Sequence, residues 1–179
     1  MITIESDELL KEVKFIYPKS FNDSRGFFSE IYNKKTFDNN GLKLSFVQDN
    51  LSFTENKNVI RGLHFQFEPY AQDKLIRVLS GEILDVYVDI RKNSKTFGVH
   101  NKKKISFTDN EWILIPKGFA HGFITLATNT TVLYKVTEFY NPESENGIIW
   151  SDNTLNIEWG SNNPELSEKD KLLGNFNEI

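Results

Sequence analysis

Residues 83–91 alternate in character, and that period of two constrains the fold more than any other feature of the chain. Positions 84, 86, 88 and 90 are aliphatic, while 83, 85, 87, 89 and 91 are mostly polar or amphipathic. Side chains leave a strand on alternate faces, so this run describes a β-strand with two unlike surfaces. The preceding run 74–79 reads as a second strand, joined to the first through Ser80-Gly81-Glu82 in a tight hairpin. Further strands are expected at 59–67, 102–107, 111–115 and 131–140. The breaks between them carry turn formers: Pro69, Thr108-Asp109-Asn110, Pro116-Lys117-Gly118 and Asn129. Short strands at this spacing imply a sandwich or barrel. Only 34–40, closed by Gly41, and a stretch opened by Ser167-Glu168-Lys169-Asp170 read as short helices. The expectation is a mainly β chain, a double-stranded β-helix or jelly-roll barrel with a few short helices, in one domain over 1–179.

Composition agrees and closes off several function classes. Fifteen phenylalanines in 179 residues suit an aromatic β core better than a helical bundle. The absence of cysteine excludes a disulfide framework and thiolate chemistry. No apolar run approaches the ~18–20 residues of a membrane-spanning helix, and the first residues lack a basic segment followed by an apolar one. A cytoplasmic protein without a membrane partner is expected. The formal charge of −4 argues against bulk binding of nucleic acid, which leaves a basic footprint. It leaves open a small anionic ligand, because a few arginines and lysines suffice to hold a diphosphate.

Two clusters hold the candidate chemistry: Arg61-Gly62-Leu63-His64-Phe65-Gln66 and Pro116-Lys117-Gly118-Phe119-Ala120-His121-Gly122-Phe123. A metal site needs several convergent His, Asp or Glu ligands. Here His64-x-Gln66 puts a poor ligand in the second place, and His100, within Gly-Val-His-Asn, reads as surface. No metal is expected. Taken alone, His64 fits a core histidine satisfied by backbone. Arg61, Lys74 and Gln48-Asp49-Asn50 shift that balance, because polar groups clustered on core strands are unfavourable to bury unless paired or functional. Imidazole, titrating near ~6.5, is the natural base at neutral pH. If strand 131–140 is unbulged, Tyr134 and Tyr140 share a face roughly 20 Å apart at ~3.3 Å per residue. One tyrosine would then reach a reacting centre and the other a distant part of an elongated ligand. Two amphipathic core residues with satisfied hydroxyls fit the same pattern.

These segments, taken together, resemble the dTDP-4-dehydrorhamnose 3,5-epimerases, a cupin family acting on nucleotide sugars. The similarity runs through Phe21–Glu30 by way of Asp23-Ser24-Arg25-Gly26, then Phe46-Val47-Gln48-Asp49-Asn50, the His64 cluster, Ala71-Gln72-Asp73-Lys74-Leu75 and Val88-Asp89-Ile90-Arg91. It continues through the His121 cluster, Tyr134-Lys135, Gly147-Ile148-Ile149-Trp150 and Leu166-Ser167-Glu168-Lys169-Asp170. It spans about residues 10–172, and so many separated motifs in order make it specific.

The resemblance implies His64 as proton acceptor, Asp170 as the carboxylate that orients and polarises it, Tyr134 as proton donor, and Lys74 near the substrate ketone. It implies substrate binding by Arg25, Glu30, Gln48, Asn50, Arg61, His121, Glu145 and Lys169, with Tyr140 stacking on the nucleotide base. The implied activity converts dTDP-4-dehydro-6-deoxy-D-glucose to dTDP-4-dehydro-L-rhamnose, without a cofactor and as a homodimer. An epimerase acting at C3 or C5 alone, or on a related nucleotide sugar, shares these motifs; a non-catalytic sugar-binding cupin would have lost them. The chain departs from the family pattern at Phe65, Asp73 and Phe139, and Asp73 sets a carboxylate next to Lys74 in sequence.

Overall fold

The computed structural model describes all residues 1–179. In chain order come β1 (Ile2–Ser6), β2 (Lys14–Pro18), the hairpin β3 (Ser20–Asp23) and β4 (Gly26–Ser29), then helix α1 (Lys34–Asn39). There follow β5 (Gln48–Thr54), β6 (Ile60–Gln66), β7 (Lys74–Ser80), β8 (Glu82–Asp89), β9 (His100–Ser106) and β10 (Trp112–Ile115). The last strands are β11 (Phe119–Thr125), β12 (Thr130–Val136) and β13 (Glu145–Gly147). One antiparallel sheet has the order β1-β2-β10-β7-β12-β5; the other has β13-β6-β11-β8-β9. The expected jelly-roll architecture is present.

Three apolar layers hold it together. Between the sheets, Ile76, Val78, Ile113 and Val132 meet Ile83, Tyr87, Ile105, Phe119 and Phe123. The outer face of the first sheet, with Ile16, Leu75, Trp112 and Leu114, is covered by Phe37 of α1 and its neighbours. The outer face of the second sheet is covered by the C-terminal segment, whose Leu155, Trp159 and Phe176 pack on Leu63, Val86, Val88 and Ala120. β8 is therefore buried on both sides. Its aliphatic residues Val86 and Val88 lie under the C-terminal segment, and the face bearing Ile83, Asp85 and Tyr87 looks inward. No helix is long and apolar enough to cross a membrane.

The expected strands at 59–67, 74–79, 83–91, 102–107 and 111–115 all form, with ends shifted by one or two residues. The expected strand 131–140 does not run its full length. β12 stops at Val136, because the chain then leaves the first sheet to reach β13 in the second. The straight-strand spacing of Tyr134 and Tyr140 fails with it. Helix α1 begins where expected, with the Asn33 side chain accepting a hydrogen bond from the Thr36 N–H at 3.2 Å. The stretch at 167–170 yields only a 3₁₀ turn, Asp170–Leu172. His100 is not free surface: its Nε2 lies 2.9 Å from the Leu155 carbonyl, within the packing of the C-terminal segment.

One irregularity positions the site. Along β11 and β6, His121 pairs with His64 but Phe123 pairs with Arg61, so β6 holds one extra residue there. Side-chain alternation restarts at Gly62. Arg61 and His64, three apart, consequently both line the interior. Gly62 has φ +123, and a Cβ on it would lie 2.5 Å from the Gly122 Cα and 2.8 Å from the His121 carbonyl oxygen. Only glycine fits. Gly62→Ala is therefore expected to lower stability by at least about 2 kcal/mol, from steric overlap plus a strained φ. Urea unfolding reads this as a fall in midpoint at unchanged slope; a parental midpoint would show that β6 and β11 have room to separate.

Candidate active site

A cavity of about 570 Å³ opens between the two sheets. His64, Arg61 and Gln66 line it from β6 and His121 from β11, while Lys74, Tyr134, Gln48 and Asn50 line it from the first sheet. Tyr140, Glu145, Lys169 and Asp170 close its rim. Eleven of the thirteen site residues expected from sequence thus face one space.

Its centre is a histidine–carboxylate pair. His64 Nε2 and Asp170 Oδ1 lie 2.6 Å apart, and the other carboxylate oxygen accepts from the Gly62 N–H at 3.4 Å. Burial pushes the Asp170 carboxyl up, but the bonds from His64, Gly62 and Ser167 outweigh it and hold it below its ordinary value. It is therefore ionised at neutral pH and only accepts. Nε2 carries the proton of that bond, which leaves Nδ1 as the lone-pair nitrogen of the ring.

Lys74 points in from the opposite sheet and donates to the His64 carbonyl at 3.0 Å. Burial brings its pKa down to about 8, against the weaker pull of Glu145 and Asp85. Asp73 does not interfere. Its carboxylate accepts from the Lys117 N–H at 3.1 Å and the Thr137 hydroxyl at 3.1 Å, away from the ammonium. Tyr134 packs on the inter-sheet core two positions from Val136. Burial pushes its hydroxyl pKa up, opposed by Arg61, so it is a neutral phenol at physiological pH.

At the rim, the Tyr140 hydroxyl donates to Glu145 at 2.7 Å, and Lys169 Nζ lies 2.5 Å from the same oxygen. Arg61 is held by the Thr54 hydroxyl at 3.1 Å and the Phe53 carbonyl at 3.3 Å. Gln48 donates to the Asn50 side-chain oxygen at 2.8 Å. Of the residues that depart from the family pattern, Phe65 is buried under the C-terminal segment and Phe139 is exposed.

Arg25 and Glu30 are the two expected residues that the fold does not bring to the cavity. Arg25 sits at the tip of the β3–β4 hairpin, its side chain 87% exposed and paired with Asp23 at 2.6 Å. Among the residues that the sequence does not single out is Asp85, which, fully buried, holds His121 Nε2 at 2.8 Å. The signal was a carboxylate in the middle of a strand whose other face is aliphatic. No three His, Cys, Asp or Glu side chains converge as a metal-ligating group.

With this geometry, similarity to known proteins becomes informative. The sequence profile described as dTDP-4-dehydrorhamnose 3,5-epimerase matches residues 7–178. The chain belongs to the dTDP-4-dehydrorhamnose 3,5-epimerase family. The epimerase of Shigella flexneri is 49% identical over 162 residues, covering 90% of this chain and 89% of that protein. The epimerase of Salmonella typhimurium is 49% identical over 172 residues, covering 95% and 92%. Among solved structures, the Bacillus anthracis epimerase, with TDP and PPi bound, superposes with a TM-score of 0.95 at 44% identity, covering 98% of this chain and 99% of that one. The Legionella pneumophila enzyme, in complex with dTDP-4-keto-L-rhamnose, has a TM-score of 0.93 at 41% identity, covering 100% and 95%. This chain is thus an isomerase-family member with a cupin-like fold.

Lys74 gives the epimerase cavity a measurable thermodynamic signature. A lysine whose folded-state pKa is about 8, against an ordinary 10.5, destabilises the folded protein while charged. That penalty is fully present below about pH 8 and fades as pH rises to 10.5. Lys74→Met is expected to be more stable than the parent at pH 7, by on the order of 1–3 kcal/mol once the lost hydrogen bond is counted. The advantage should vanish near pH 10.5. Denaturant unfolding across this range checks it; a Met variant less stable at every pH would mean that the ammonium is well solvated in the cavity.

Proposed function

We propose that this chain inverts C3 and C5 of dTDP-4-dehydro-6-deoxy-D-glucose, producing dTDP-4-dehydro-L-rhamnose. The observation that carries the reading is His64, on one sheet and paired with Asp170 of the C-terminal segment, facing Lys74 and Tyr134 on the other sheet across a single cavity. The protons on C3 and C5 both flank the C4 ketone. Loss of either leaves an enolate whose charge develops on the same O4, so one cationic site serves both inversions. Lys74 is that site. His64 Nδ1 takes the proton from carbon, and the Asp170 carboxylate stabilises the imidazolium that forms. Tyr134, a phenol still holding its proton, delivers one to the opposite face of the same carbon. Each inversion exchanges one C–H bond for another, with no net oxidation, so the reaction requires no redox cofactor.

The rim suits the nucleotide. Arg61 and Lys169 offer cationic groups for a diphosphate, and Tyr140, 53% exposed beside Glu145, offers a ring face for the thymine base. Gln48, Asn50 and His121 supply hydrogen bonds to the sugar and nucleoside. The ligands named for the Bacillus and Legionella enzymes support a dTDP-linked hexose here. Neither nucleic acid nor a membrane enters this reading.

Incubation with the substrate in deuterated water tests it. The parent is expected to label both carbons. His64→Ala should lose exchange at both, and Tyr134→Phe should impair reprotonation more than proton removal. Labelling at one carbon only in the parent would support a mono-epimerase, and none would sink the enzymatic reading.

The position of Arg25 and Glu30 outside the cavity supports a homodimer in which the β3–β4 hairpin of one copy reaches the other. That hairpin presents Phe21, Phe27 and Phe28 to solvent, and Leu51 and Phe53 are exposed on edge strand β5. An apolar surface of this kind suits burial against a second copy. Light scattering should give twice the 20.8 kDa chain mass, and Phe28→Asp should shift the population toward monomer and raise KM. A monomeric parent with full activity would refute the dimer.

A further inference from the structure

Between the end of β12 at Val136 and the start of β13 at Glu145, the chain crosses from one sheet to the other over the cavity rim. This stretch belongs to neither ladder for most of its length, so its backbone groups need other partners. Three glutamine side chains supply them. Gln72 Nε2 donates to the Glu138 carbonyl at 2.8 Å. Gln66 Nε2 donates to the Phe139 carbonyl at 3.1 Å, and its Oε1 accepts from the Asn141 N–H at 2.8 Å. Gln48 Oε1 accepts from the Tyr140 N–H at 3.3 Å. The same Gln66 Nε2 also donates to the Tyr70 carbonyl at 2.6 Å, tying a second rim loop to the first.

The residue at the middle of this frame is Tyr140. Its ring is half exposed and is otherwise restrained by the hydroxyl bond to Glu145. Gln66 is buried and uses both amide hydrogens and its carbonyl on three backbone groups. No other side chain repeats that set at that reach. Glutamate lacks the two donors, asparagine is one methylene too short, and methionine has neither donor nor strong acceptor.

We infer that Gln66 and Gln72 are positioning residues that fix where Tyr140 stands and thereby set how strongly the enzyme holds the nucleotide base. The inference rests on the reading of Tyr140 as the base-stacking residue. Gln66 and Gln72 act through the backbone of 138–141, so their loss loosens nucleotide binding and leaves proton transfer at the sugar unchanged. The effect should appear in KM rather than kcat.

A double-mutant cycle separates this role from general structural support. Tyr140→Ala is expected to raise KM for the dTDP-sugar about tenfold, as loss of one stacked ring does. Gln66→Met should raise KM by a similar factor with kcat within about twofold of the parent. In the Tyr140→Ala background the same Gln66 change should add less than about twofold, because the residue it positions is gone. If Gln66→Met fails to fold, the cycle is run with Gln72→Met, for which a smaller rise with the same non-additivity is expected. Unchanged KM in Tyr140→Ala would overturn the stacking reading itself. A Tyr140→Ala effect with full additivity of the glutamine changes, or a glutamine change that lowers kcat instead, would overturn the positioning role alone.

Discussion

The bond between His64 and Asp170 joins the inside of the barrel to its wrapping, and the remaining architecture is organised around making it. His64 lies on an inward face of β6, whereas Asp170 belongs to the segment that packs on the outside of the same sheet. That segment is anchored on both sides of Asp170. The Asp152 carboxylate accepts from the Thr154, Leu155 and Phe176 N–H groups, and Trp159 Nε1 donates to the Trp150 carbonyl at 2.8 Å. Buried Trp159, Leu155 and Phe176 hold it down. A carboxylate fixed by this much packing stands ready without reorganising, which is what electrostatic assistance to proton transfer requires.

An interior with so many polar groups departs from the usual content of a sheet covered on both faces, which is near-continuously apolar. Three of its carboxylates have partners: Asp85 with His121, Asp170 with His64, and Glu145 with Lys169 and Tyr140. Lys74 has only a backbone carbonyl, and burial lowers its pKa accordingly. Stability has been given up at the position where the proposed reaction develops negative charge.

Much of this was legible in the sequence. The alternation at 83–91 announced β8, and the turn formers marked its neighbours. What alternation does not reveal is which face looks inward when both are covered. Asp85 therefore reads as part of a polar face rather than as the partner of His121. Strand β5 is hidden in the sequence because it inverts the ordinary pattern: Gln48, Asn50 and Ser52 face the cavity while Leu51 and Phe53 lie exposed. The extra residue in β6 is equally silent locally, since it arises from Gly62 meeting Gly122 across strands. The end of β12 at Val136 is a topological event, so no residue between Thr137 and Tyr140 advertises it. The place of Arg25 at the tip of the β3–β4 hairpin, outside the cavity, is likewise not written in its local sequence.

The order of parts along the chain has a consequence for biosynthesis. His64, Lys74 and Tyr134 all lie on strands that precede β13, and Asp170 follows every strand of both sheets. A polypeptide emerges from the ribosome amino end first, and its early parts fold as they appear. The two sheets can thus assemble around a cavity whose histidine still lacks its carboxylate. Arrival of the wrapping segment supplies that carboxylate, and with it the apolar cover that seals the outer face of β6, β8 and β11. Completion of the fold and completion of the His64–Asp170 pair are then a single late event, so under the proposed mechanism a partly made chain holding all its strands is chemically idle.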